Sequence, residues 1–166
     1  GGNIGDGFLQ GAKYGAASSA VQTGLTQLAL GHAIKPDSKR NGNAVRALNE
    51  IESDMRSSGN GKHIGAYKPI YRSGGLWGQI MGGRGIAVGR NLVVPRNSDY
   101  RYEDYTYFHE TVHYYQQIEM GYANYLGRIF FYEQMFYGWN QSCYYKPGFM
   151  EWGANQANKA YNVWFW

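Results

Sequence analysis

Residues 107–122 read YFHETVHYYQQIEMGY. Two of the chain's four histidines lie here, His109 and His113, with Glu110 directly after the first. On an α-helix, positions i and i+4 share a face, roughly 6 Å apart. Both imidazoles can therefore point at one ion. Glu110 is turned about 100° from His109. That places it outside the same coordination sphere, within reach of a water beside the ion. The pattern H-E-x-x-H thus supplies two metal ligands and a general base. Zinc bound there would lower the pKa of a water to about 7 and polarise a carbonyl. Glu110 would take the water's proton and deliver it to the leaving amine. The plainer alternative is two histidines on a wet helix face. Phe108 and Val112 argue against it, because they give the helix apolar surface to bury.

The flanks support a helix at this place. Asp99 or Asp104 can cap its start, and Gly121 can end it. Ahead of it, GIAVGRNLVV (85–94) predicts a β-hairpin turning between Gly89 and Asn91, closed by Pro95. Residues 59–84 read as a Gly-punctuated loop. AVRALNEIESDMRS (44–57) predicts an amphipathic helix with Val45, Leu48, Ile51 and Met55 on one face, Asn43 as N-cap and Gly59 as stop. After Gly121 a second helical stretch is expected over about 122–137. FMEWGANQANKAYNVW (149–164) then predicts a final helix, weakened by Gly153.

A catalytic zinc takes a third protein ligand and keeps one position open. Spacing leaves several candidates. Glu119 lies too close on the same helix. Glu133 follows His113 by 20 residues, in the aromatic context FFYEQMF, and otherwise reads as an exposed residue. Glu151 follows by 38 and opens the last helix, with small or polar Ala154 and Asn155 one turn on. His32 and His63 sit in Gly-rich surroundings.

Composition narrows the classes. The chain has 166 residues, enough for one domain with a real core. Only 17% are charged, and the net charge of +4 is scattered. Lys39-Arg40 and Arg84 to Arg90 are the densest basic spots, so no nucleic-acid partner is expected. One cysteine, Cys143, excludes an internal disulfide framework and a multi-cysteine zinc cage. Tyrosine is dense, with 16 copies. Tyr107, Tyr114 and Tyr115 are candidate donors to an oxyanion. Gln116 or Gln117 could hold a ligand histidine by hydrogen bonding. Residues 1–34 are rich in Gly and Ala and nearly free of charge, and they suit close helix packing. They also carry Gln22, Thr23, Thr26 and Gln27, which make membrane insertion costly. No leader with a basic start and apolar middle opens the sequence. Its start at Gly1 reads as the released end of something longer or as an expression scar.

IAVGRNLVVPR, then HETVHYYQQIEMGYANYL, then F-x-E-x-x-A-N together resemble metallopeptidase domains at the C-termini of bacterial Rhs-type polymorphic toxins. The resemblance covers roughly residues 62–161. It implies an α+β, minimal zincin-like fold, mainly helical, with a short hairpin or sheet before the H-E-x-x-H helix. It implies zinc held by His109, His113 and Glu151, with Glu110 as catalytic base. The Gly/Ala-rich opening resembles the segment before many such toxin cores, so residues 1–40 are expected as lead and linker and 41–166 as the toxin domain. The function implied is that of a zinc metalloendopeptidase, secreted or injected into a target cell. Its partners would be a protein substrate there, a cognate immunity protein and the parent toxin's delivery shell. Two other classes stand beside it: a membrane-acting toxin using residues 1–34, and a metal-stabilised binding module that hydrolyses nothing.

Overall fold

The computed structural model describes residues 22–35, 37, 39–57, 68–80, 84–96, 99–135 and 145–163. His63, Cys143 and most of the Gly/Ala-rich opening lie outside them. The elements in order are α1 (22–30), β1 (His32–Ala33), α2 (Gly42–Ser57), β2 (Ile70–Ser73), α3 (Gly75–Ile80), β3 (Ile86–Val88), β4 (Asn91–Val93), α4 (Tyr100–Met120), α5 (Tyr122–Leu126), a π-helix (Gly127–Met135) and α6 (Met150–Ala160). The result is α+β, mainly helical, with a small mixed sheet. No helix among the described residues is long and apolar enough to cross a membrane.

The sheet has the order β1-β2-β4-β3. β3 and β4 form the expected hairpin, with Val88 opposite Asn91 across a two-residue turn at Gly89 and Arg90. Gly89 takes φ +57°, the left-handed conformation such turns require. Its N–H donates to Gln117 Oε1 of α4 at 2.9 Å, which pins the hairpin to that helix. β2 pairs parallel to β4 and antiparallel to β1. Residues 59–84 are therefore not all loop, since β2 and α3 lie there. β2 is only four residues long and its partners are distant in sequence, so no local periodicity announces it. β1 brings residues 32–33 into the sheet, ahead of the expected start of the domain at 41.

α2 buries Ala44, Ala47 and Leu48, with Val45, Ile51 and Met55 packed against the main core. It does not use Asn43 as N-cap. The helix starts one residue earlier, Asn41 carbonyl accepts the Val45 N–H, and Asp104 of α4 accepts the Ala44 N–H at 3.1 Å. The cap thus comes from across the fold. α4 is capped locally by Asp99, which accepts the Arg101 N–H at 2.9 Å, and it ends at Gly121 with φ +84°.

α4 is the centre of the molecule. α2, α5, α6 and the β3–β4 hairpin all pack on it, so its buried residues run from Glu103 to Gln117 around the whole circumference. They include His109, Glu110, Thr111 and His113 as well as Phe108 and Val112. A helix buried all round with polar residues inside must satisfy them against its neighbours. The expected second helical stretch begins as α5 and continues with π winding from Gly127, which carries Ile129 and Glu133 inward. Glu133 is fully buried, so the exposed position that stood as the alternative to its candidacy as a ligand does not hold.

Candidate metal centre

α4 presents His109 and His113 to the first turn of α6, where Glu151 stands. Glu151 Oε2 lies 3.0 Å from His109 Nε2 and 3.4 Å from His113 Nε2. The three donor atoms all fall within 4.8 Å of one another. Donors on one tetrahedral zinc, at about 2.0–2.2 Å each, stand roughly 3.3–3.6 Å apart. The histidines are only 4% and 3% exposed, so the wet-face alternative does not hold. His113 Nε2 is a buried nitrogen that makes no well-aligned hydrogen bond and faces only the Glu151 carboxylate at 3.4 Å. Such an atom is costly to leave unmet, and a cation shared with Glu151 meets it. The group could therefore hold a metal ion.

The outer nitrogens settle which face each ring offers. His109 Nδ1 lies 3.0 Å from Asn158 Oδ1. The Asn158 amide donates to the Val163 and Tyr105 carbonyls, which turns its oxygen toward the histidine. His113 Nδ1 lies 2.8 Å from Gln116 Oε1, and the Gln116 amide donates to the Met150 carbonyl. Each carboxamide thus accepts from Nδ1–H, which leaves Nε2 facing Glu151 Oε2, where an ion would take the place of the Nε2 proton. Gln116 is the second-sphere partner expected from the sequence, while its neighbour Gln117 serves the hairpin. Asn158, 49 residues from His109, carries no sequence signal. Gly153 also gains a reason to be in a helix, because a Cβ there would lie 3.0 Å from Gln116 Nε2. Asn158→Ala is expected to fold and to bind zinc about 10–100-fold more weakly, read by competition with a chromogenic chelator. Unchanged affinity would show that the clamp is dispensable.

Charge in the site follows from burial and proximity. Burial pushes the Glu151 carboxyl up, but His113 and His109 outweigh it and hold the group well below the usual carboxylate range. Burial pushes the His113 imidazole down, and Glu151, then Glu110, more than offset this and raise it to about 9. Divalent-ion binding would displace the His113 proton.

Glu110 stands apart from the three donors. Its carboxyl packs against Gly85 at the entrance to β3, where a Cβ would fall 2.4 Å from Oε1. Only a glycine leaves that space. Burial pushes Glu110 up to about 7, with His113 and His109 opposing and Glu151 adding to the shift.

Two phenols border the site. Tyr105 stacks on His109 with ring centroids 5.4 Å apart, and Tyr125 lies 6.1 Å from His113. Burial first, then the site's carboxylates, pushes both well above the ordinary tyrosine value. The tyrosines picked from the sequence lie elsewhere. Tyr107 stacks on Tyr71, Tyr115 donates to Glu52 at 2.6 Å, and Tyr114 packs beside Tyr115. Among the other candidate ligands, His32 is exposed on β1 and Glu119 is exposed on α4. Glu133 is near but belongs to the frame of α6. Comparison with family models, curated proteins and solved structures gives no match.

Proposed function

We propose that this chain is a zinc-dependent peptidase. The observation that carries the proposal is Glu110, a buried carboxyl beside three convergent donors but outside their cluster. Two imidazoles and one carboxylate form a donor set that zinc takes in catalytic centres, with one position left for water or substrate. Zinc, when bound, supplies a Lewis acid and an acidified water. The chain supplies the rest. Glu110, raised toward neutrality, is suited to accept a proton at its carboxylate and return it to the leaving nitrogen. Tyr105, kept protonated, offers an O–H to a carbonyl oxygen as it gains charge. Gly85 and β3 run directly beside Glu110. β3 is a sheet edge among the described residues, so an extended peptide can add to it as a further strand.

The setting as a secreted or injected bacterial effector, countered by an immunity protein and carried by a delivery shell, rests on the resemblance of the short motifs. The depth of the histidines favours one second reading, a structural ion in a binding module. Incubation of the zinc-loaded chain with an unfolded protein separates the two. Cleavage that stops with a zinc chelator and returns on zinc addition is expected. A fully zinc-loaded chain that leaves diverse unfolded substrates intact supports the module.

A further inference from the structure

Glu133 is a wholly buried carboxylate on the π-helix, and its Oε1 accepts the backbone N–H of Met150, the first residue of α6. The residue in the N-cap position, Phe149, makes no side-chain cap. A helix start needs acceptors for its free N–H groups, and here the acceptor arrives from another element. The next residue in α6 is Glu151. The Met150 peptide is held on its other side as well, since its carbonyl accepts from Gln116, whose own oxygen meets His113. Met150 itself packs with Tyr125 and Ile129, the latter also on the π-helix.

We infer that Glu133 is a positioning residue for the metal centre: it caps α6 in place of a local cap and so fixes the backbone from which Glu151 reaches the two histidines. Glu133 shares its inward face with Ile129, four residues earlier, which packs beside Met150. The inference rests on the metal-centre assignment and is independent of whether the chain cleaves peptides.

The test is zinc affinity of the full chain, by chelator competition, together with the absorption spectrum of the cobalt-substituted protein. Glu133→Ala is expected to weaken zinc binding about 10–100-fold, the range for lost outer-sphere partners, and to alter the cobalt bands. Glu133→Gln keeps an acceptor for Met150 N–H and should regain most of the affinity and the parent spectrum. Where Glu133→Ala does not fold, Glu133→Asp carries the test, because it keeps the charge but falls one methylene short of Met150. A folded Ala or Asp variant with parent affinity and parent spectrum overturns the inference and leaves the metal centre standing. A Gln variant as weak as Ala also overturns it, because an acceptor for the Met150 N–H would then not be what supports the centre. A parent chain that takes no zinc overturns both.

Discussion

Glu110→Gln is expected to leave a folded, zinc-loaded protein whose peptide hydrolysis is about 10²–10⁴-fold slower than the parent's. The substitution preserves size, so the packing against Gly85 survives. It also preserves hydrogen bonding, but an amide cannot take up a proton at neutral pH. None of the three donors changes, so zinc content should stay at the parent level. Rate and metal content measured on the same sample decide the matter. A Glu110→Gln protein that cleaves at the parent rate would remove Glu110 from the chemistry and with it the peptidase proposal.

The second large effect belongs to His113→Ala. It deletes one of three donors and strands Glu151, whose low pKa depends first on His113 among its neighbours. It also empties the acceptor role of Gln116, which ties α4 to the start of α6. Zinc and activity should be lost together, and the loss of affinity should exceed the roughly 10–100-fold expected for an outer partner such as Asn158. Parent-like zinc content in His113→Ala would place the ion elsewhere. Losing metal and activity together in this variant, and activity alone in Glu110→Gln, separates ligand from base.

The parts of this molecule that could be read from its sequence are those whose signal is local. H-E-x-x-H on a capped helix is one, since Asp99, the two histidines and Gly121 all lie within 23 residues. The β3–β4 hairpin is another, because its turn chemistry sits between its strands. Spacing left Glu133 and Glu151 both open as third ligand and only the motif resemblance pointed to Glu151, which lies against both histidines. What escaped is held together over distance. Asp104 caps α2 across 60 residues, which is why Asn43 looked like the better cap. Asn158 orients His109 from another helix. β2 has four residues and no alternation to mark it, and its register exists only through β1 and β4. Glu133 had an exposed position as its plainer reading, because the partner that satisfies its buried carboxylate is the Met150 N–H, 17 residues on in another helix. The burial of α4 follows the same rule. Its tyrosines, histidines and glutamates give no apolar stripe, and only the elements packed around it turn them inward.

The central claim is that His109, His113 and Glu151 hold one ion, and anomalous diffraction at the zinc edge from crystals of the zinc-loaded chain tests it most directly. The account predicts a single strong peak bonded to His109 Nε2 and His113 Nε2 at about 2.0–2.1 Å and to a Glu151 carboxylate oxygen at about 2.0–2.2 Å, with Glu110 outside bonding distance. Zinc found only at other residues, or two imidazoles turned apart with no peak between them, would contradict it.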